Sequence, residues 1–469
     1  MTTRVRSSEP SKGTDSSFKV AILGCGTVGG GVARILLDLQ KDLCRRSGRS
    51  IELACIVDLF PAKAAERHGI PANLFAVPPG ASLSALNGEQ AAQAIDGILA
   101  DKDIDLVVET IGGSSERMLK LCTDILKSGK HLATANKALL ATHGDALFAC
   151  AADSGRILAF EAAVCGAIPV IRTVRDGFSG DYIDSISGIM NGTSNYILSR
   201  MQEEDLSFDQ ALKLAQEAGY AEADPRLDIG GGDAGHKLGI LMHLAFGLPF
   251  PGETLRVQGI QGVEKGDIRA AQELGCSIKL ICHAKRVDGT VHASVMPMMV
   301  KTENALSRVN GATNAVRFLN RYSGEHILVG KGAGSLETGS AVVADILFIA
   351  SYTRNASAGS SADSGAALVP QYCADNAVLR DLDDLPFPYT IIFDMEDKPG
   401  ITGLVATAIG DAGINIDTVG HNLHGVDTAV FCVETMACTR KMIDQAIALM
   451  GQRRPGVFAG EPKIYPVLY

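Results

Sequence analysis

No stretch of about 18 uncharged apolar residues, the length a membrane-spanning helix requires, occurs in this 469-residue chain. A membrane partner is therefore not expected. The eleven cysteines include no Cys-x-x-Cys pair, which removes the usual signature of a zinc site or a dithiol redox centre. Scattered thiols in odd number suit a reducing compartment. No Lys/Arg run forms a phosphate-tracking patch, and the formal net charge of -10 repels polyanions, so nucleic acid is not an expected partner. Residues 1–17 lack the apolar core of a secretory leader and carry Glu9 and Asp15; they read as a disordered tail. Repeats with periods of about 20 to 50 residues are also missing. The expected setting is the cytoplasm.

What is present is a folding composition, with 46% hydrophobic and 20% charged residues. At about 100–200 residues per domain the length predicts several domains, and three are expected. From Phe18 to about Ser154, short apolar runs alternate with amphipathic stretches, the pattern of parallel strands joined by crossover helices. Strands are predicted at Lys19–Leu23, Leu53–Val57, Leu106–Glu109, His131–Thr134 and Ile157–Phe160. Residues 155–329 read as an α+β domain with strands at Ser277–Ala284 and Val291–Met296. A helix over Gly339–Ala350 is expected to pack back and complete the first domain over about 330–350. Residues 351–387 begin with the small, polar run SYTRNASAGSSADSG and read as a linker. Residues 388–469 read as a ferredoxin-like unit with turns at Lys398-Pro399-Gly400 and Gly413-Ile414-Asn415.

The most informative local signal is Gly24-Cys25-Gly26-Thr27-Val28-Gly29, which follows a predicted strand and opens a helix. Two glycines let the backbone approach a pyrophosphate, the third lets helix and strand pack closely, and the N–H groups of the helix start hold the anion. A dinucleotide or another adenosine-containing ligand such as S-adenosylmethionine satisfies that geometry. Asp58 closes the second strand, where a carboxylate accepts from adenosine ribose hydroxyls and repels a 2′-phosphate. This favours NAD over NADP, while the nearby Lys63 favours phosphate.

A second group of signals carries chemistry. The loop from Gly219 to Asp228 bears Glu222, Asp224 and Asp228, suited to an ammonium group. After Gly230-Gly231-Gly232 a helix is expected, with Asp233 at or near its N-cap and Lys237 on the same face four residues on. An exposed pair at that spacing is worth only about 0.3–0.5 kcal/mol. A positive helix end, however, is expected to lower the Lys237 pKa and Asp233 to raise it, so that the lysine serves as an acid–base group. Thr134-Ala135-Asn136-Lys137 ends a strand at the carboxyl edge, where open α/β sheets bind ligands. The run Glu161 to Pro169 reads either as a turn or as a hard-cation site. Cys165 within it has no nearby His base and reads as structural.

These segments together resemble homoserine dehydrogenases, from Val20 to about Ile349, through GCGTVG, TANKALLA, EAAVCGAIPVI, GIMNGTSNYIL, AQEAGYAEADPRLDIGGGDAGHK and GKGAGSLETGSAVVADI. The resemblance implies NAD(P)-dependent interconversion of L-aspartate 4-semialdehyde and L-homoserine. It further implies Lys237 as proton donor, with Asp233 and Lys137 beside it. Asn191, Gly192, Thr193, Tyr220, Glu222 and Asp228 are implied at the substrate, and Gly24, Gly26, Thr27, Val28, Gly29, Asp58, Lys63, Thr110, Lys137, Gly332 and Gly334 at the cofactor. Glu161 with the carbonyls of Val164, Gly166 and Ile168 is implied as a sodium site.

Some positions depart from the family pattern, which commonly reads Gly-Pro-Gly-Ala-Gly followed by Pro-Thr-Ala. Lys331 stands for that first proline and Glu337-Thr338-Gly339 for the triplet. Val57 precedes Asp58 where NADP-preferring members place arginine, which again favours NAD. The stretch Tyr389–Met450 resembles an ACT domain, implying either a threonine effector site or a dimerisation module that has lost its ligand. A homodimer or homotetramer is expected.

Overall fold

The computed structural model describes residues 17–250, 254–356, 377–396, 398–423 and 428–469. Strands β1 (Phe18–Leu23), β2 (Ile51–Val57), β3 (Ile104–Glu109), β4 (His131–Thr134) and β5 (Leu158–Ala159) form a parallel sheet in the order β2-β1-β3-β4-β5. Runs such as Val107-Val108 are apolar at consecutive positions because helices cover both faces of the sheet. The chain order reverses between β1 and β3, and the loops leaving those two strands part to open a crevice. This is a Rossmann-type domain.

The second sheet uses β6 (Ile183–Ile189), β7 (Arg256–Val257), β8 (Cys276–Val287), β9 (Thr290–Lys301), β10 (Thr313–Asn320) and β11 (Gly324–Lys331). The hairpin β8–β9 pairs over its full length, from Cys276 opposite Lys301 to Val287 opposite Thr290. Helices Gly192–Glu204 and Gly232–Phe246 pack on this sheet and bring Asn191, Asp233 and Lys237 toward the first domain. Helix Ser335–Ala356 returns to the Rossmann side and packs on helix Thr27–Asp38. The approach is so close that a Cβ on Gly31 would lie 2.1 Å from the Ser335 carbonyl oxygen.

Two expectations change here. The helix runs to Ala356, so residues 351–356 are helical where a linker begins in the sequence reading; 357–365, the rest of the small polar run, lie outside the described residues. The later part of the expected linker is structured too: β12 (Val378–Asp381) pairs in parallel with Thr290–Ala293 of β9. The open edge of β9 supplied hydrogen-bonding partners that no local pattern announces.

Beyond it, β13 (Tyr389–Glu396), helix Ile401–Asp411, β14 (Ile416–Leu423), β15 (Thr428–Thr435), helix Arg440–Arg453 and β16 (Lys463–Leu468) form the ferredoxin-like, ACT-like unit, with strand order β16-β13-β15-β14. Its last strand lies beyond the stretch that carries the ACT resemblance. β16 is antiparallel to β13 and parallel to β9, pairing Val467 with Met299 and Leu468 with Val300. The central and C-terminal sheets are therefore one eleven-stranded sheet. Across the junction, Lys301 Nζ lies 2.7 Å from Glu434 Oε2, and the Tyr469 hydroxyl donates to Glu434 Oε1 at 2.7 Å.

Candidate active site

Gly231, at φ +83°, precedes helix Gly232–Phe246 and makes the sharp entry that a side chain would strain. Asp233 is the second residue of this helix rather than its cap, and Lys237 stands one turn later. Both are buried, at 5% and 7% exposure. Lys237 Nζ donates to Asp233 Oδ2 at 2.8 Å and to the Met190 carbonyl at 2.6 Å. An ammonium has three donors, so one remains for a ligand oxygen.

Lys137 approaches the same carboxylate from the Rossmann side, its Nζ 3.2 Å from Asp233 Oδ1. It is the first residue of helix Lys137–Asp153, whose N-cap Asn136 accepts from the Leu139 N–H. Asn191 completes the group. Its Nδ2 donates to Asp228 Oδ1 at 2.7 Å and Asp233 Oδ2 at 2.8 Å, while its Oδ1 caps helix Gly192–Glu204 through the Ser194 N–H.

Burial alone raises an Asp pKa and lowers a Lys pKa. For Asp233 burial is outweighed by Lys237 and Lys137, which hold its carboxyl well below the ordinary range. Burial likewise pulls Lys237 down, yet the Asp233 charge prevails and raises it. The lowering expected from the helix end does not decide the outcome; the carboxylate one turn away does. For Asp228, burial together with the neighbouring Asp233 raises the pKa against the Asn191 hydrogen bond.

The glycine loop lies at the crevice between β1 and β3. Gly24, at φ +88°, sits against the Thr110 backbone, and a Cβ on Gly29 would lie 1.9 Å from the Gly24 carbonyl oxygen. Gly26, by contrast, faces open space and is the N-cap of helix Thr27–Asp38, with no side-chain cap. The first turn therefore offers N–H groups to an anion, as a dinucleotide pyrophosphate requires. Asp58 Oδ2 accepts from the Cys25 N–H at 2.7 Å and Oδ1 from the Phe60 N–H at 2.8 Å, which places this carboxylate beside the loop.

Comparison with known proteins agrees with this geometry. Residues 24–161 match the NAD-binding domain of homoserine dehydrogenase, and residues 169–347 match the homoserine dehydrogenase family. The homoserine dehydrogenase of Neisseria gonorrhoeae is 37% identical over 438 residues, covering 92% of this chain and 94% of that protein. The chain belongs to the homoserine dehydrogenase family. The Corynebacterium glutamicum homoserine dehydrogenase is 34% identical over 87% of each chain. The crystal structure of a homoserine dehydrogenase from Thiobacillus denitrificans superposes with a TM-score of 0.84 at 33% identity, covering 96% of this chain and 98% of that one. Membership makes the chain an NAD(P)-dependent oxidoreductase.

Set against the family pattern, Lys137, Asn191, Asp228, Asp233 and Lys237 are brought into one cluster. Thr193 donates from Oγ1 to the Tyr220 carbonyl at 2.7 Å, and the half-exposed Tyr220 ring lies tilted against Tyr196, centroids 4.7 Å apart. Of the three loop carboxylates only Asp228 joins the cluster. Asp224 is paired with Arg226, and Glu222 is exposed, with no hydrogen bond or ion pair joining its carboxylate to the cluster. Thr110 turns its hydroxyl to the carbonyls of Leu23 and Gly24, supporting the loop from below. Lys63 is exposed on helix Pro61–His68.

The expected carboxylate ligand for sodium is corrected. Glu161 is 3% exposed, with Oε1 accepting from the Ile171 N–H and Oε2 from the N–H and Nε of Arg172. Three donors already satisfy it, and the Ile168 carbonyl accepts from the Val170 N–H. This donor set does not fit a cation held by the Glu161 carboxylate. Among the described residues no cluster of three or more His, Cys, Asp or Glu forms a metal site. Cys165 is fully buried and burial pushes its thiol up, as a structural cysteine requires.

Sequence reasoning missed the group that supports the crevice. Glu109, 0% exposed at the end of β3, accepts from the N–H groups of Ile111 and Gly112 and from the Thr134 hydroxyl. Thr134 in turn accepts from the Asn136 N–H, and Asn136 Nδ2 reaches the Gly113 carbonyl. A lone carboxylate closing an apolar strand was the available signal.

Proposed function

We propose that Lys237 is the acid–base residue of this family member and that Asp233 and Lys137 position it. The reaction is the reversible interconversion of L-aspartate 4-semialdehyde and L-homoserine, on the route to threonine, methionine and isoleucine. The dinucleotide, when bound, supplies or takes up the hydride. The residues that would hold it are Gly24, Gly26, Thr27, Val28 and Gly29, with Asp58, Lys63, Thr110, Lys137, Gly332 and Gly334 around them. In the reducing direction the remaining Lys237 N–H donates to the aldehyde oxygen, which gains negative charge as hydride arrives. Asp228 and Glu222 receive the substrate ammonium, and Asn191, Gly192, Thr193 and Tyr220 form the wall of the pocket. Fixing the ammonium holds the aldehyde in line.

The observation that carries this reading is the single Asp233 carboxylate shared by Lys137 and Lys237. The test is the purified protein with L-aspartate 4-semialdehyde and NADH or NADPH, followed by loss of reduced nicotinamide. Oxidation of neither refutes it.

Asp58 beside the glycine loop supports NAD as the preferred dinucleotide. The ACT-like unit supports a threonine effector site or a dimerisation surface, and we assign the protein to a homodimer or homotetramer. A titration with threonine during turnover separates effector from scaffold. No helix among the described residues is long and apolar enough to cross a membrane, and the ten described cysteines are free thiols, which supports a cytoplasmic setting.

A further inference from the structure

The two departures from the family pattern meet one another. Lys331, which ends β11, places Nζ 2.8 Å from Glu337 Oε1, and Glu337 stands in the first turn of helix Ser335–Ala356. Between them the chain is tightly folded: Gly334 has φ +139°, and a Cβ there would lie 2.2 Å from Glu337 Oε2. The lysine side chain is 74% exposed and the glutamate 32%.

This pair stands next to the anion-binding end of the glycine-loop helix. Ser335 Oγ donates to the Thr27 carbonyl at 2.6 Å, so the first residues of two helices touch. Gly31 and Gly339 allow those helices to cross at backbone contact. Lys331 precedes Ser335 by four residues, at most about 14 Å of chain. Glu337 holds Lys331 protonated, and the Tyr220 phenol lies within electrostatic reach of it.

We propose that Lys331 is a ligand for the pyrophosphate of the bound dinucleotide, exchanging the Glu337 carboxylate for the phosphate oxygens when the cofactor enters. The inference rests on the glycine loop as the dinucleotide site. Glu337 then acts as a counter-ion that holds the lysine near the crevice and competes with the pyrophosphate for it. A charged donor on phosphate forms the stronger class of hydrogen bond. A flexible lysine also tolerates the swing between two acceptors.

The test compares wild type, Lys331→Ala, Glu337→Gln and the double variant by calorimetric titration with NADH, ADP-ribose and adenosine. Both positions are on the surface, so thermal melting is expected to be unchanged. Lys331→Ala should weaken NADH and ADP-ribose by roughly five- to tenfold and leave adenosine within about twofold. Glu337→Gln should tighten both pyrophosphate ligands, and this gain should vanish in the double variant. Binding of ADP-ribose by Lys331→Ala within about twofold of wild type overturns the proposal. So does Glu337→Gln weakening binding as much as Lys331→Ala, because the pair would then be a structural tie. A wild-type protein that binds neither NADH nor ADP-ribose overturns the glycine-loop reading as well.

Discussion

Lys137 reaches Asp233 from the Rossmann domain, its Nζ 3.2 Å from Oδ1, so one ion pair joins the Rossmann and central domains. Asp233 spends its other oxygen on Lys237 at 2.8 Å. Lys237, the proposed acid–base residue, is thereby tied to the Rossmann domain.

Replacing Lys237 by methionine keeps the bulk of the side chain and removes the proton donor. Turnover should fall by about 100- to 10,000-fold, the usual share of a general acid, with the dissociation constant for NADH unchanged. Steady-state rates and calorimetric titration check this; undiminished turnover refutes the role of Lys237.

The raised Lys237 pKa fixes the sign of the pH response. The ammonium form serves reduction of the semialdehyde, so that rate should fall at high pH, while oxidation of homoserine, which requires the free amine, should rise. Asp233→Asn removes the group that raises the lysine, so both limbs should move to lower pH. The stability of this pair follows the same logic. The Lys237 contribution is complete below about pH 10.4, the unfolded value, and is lost as pH rises through the folded one. The Asp233 contribution is complete above about pH 3.9 and is lost as pH falls through its depressed folded value.

Two glycines of one loop should fail differently. Gly29→Ala places a methyl 1.9 Å from the Gly24 carbonyl oxygen and should destabilise the fold by about 1–3 kcal/mol or more. Gly26→Ala meets nothing within 4 Å, so its melting temperature should stay near wild type while NADH binding weakens. Thermal melts and titrations on the two variants separate the outcomes.

Asp345 predicts an unusual stability profile. It is fully buried, accepts from the Glu161 N–H, and its carboxyl is pushed up to about 7 by burial and then by the Glu161 charge. An acid with a raised folded pKa binds its proton more tightly when folded, so stability falls as pH rises from about 4 to that value. Asp345→Asn stays neutral throughout. Its melting temperature relative to wild type should therefore increase from pH 5 to pH 8; a constant difference would remove Asp345 from the account.

Lys301→Met leaves Glu434, 0% exposed, without its cation at the junction of the central and ACT-like parts of the sheet. The loss should be about 3–5 kcal/mol in urea denaturation, and adding Glu434→Gln should recover part of it because no buried charge then remains. Equal losses in the single and double variants would show that the stranded Glu434 charge is not what costs the stability.

Much of this protein is legible in the linear chain. The five strands of the Rossmann sheet appear as apolar runs because burial on both faces selects them, and the glycine loop is readable because close backbone approach tolerates no Cβ. Lys237 and Asp233 are readable because four residues make one helical turn. The Glu161 carboxylate misled because an acidic side chain in a turn does not reveal which donors will satisfy it. Glu161 found backbone N–H groups and Arg172.

The sequence alone determined the local elements, the cofactor loop and the identity of the lysine–carboxylate pair, since each depends on residues near in the chain. Tertiary structure decided what those residues meet. Lys137 and Lys237, 100 residues apart, share Asp233 only because two domains close on one crevice, and both cations together hold that buried carboxylate ionised. Likewise β16 joined two sheets through the unpaired edge of β9, a long-range pairing with no local signature. Local periodicity reports which face of an element is buried; it carries no information about the partner across the gap, and at this site the partner sets the chemistry.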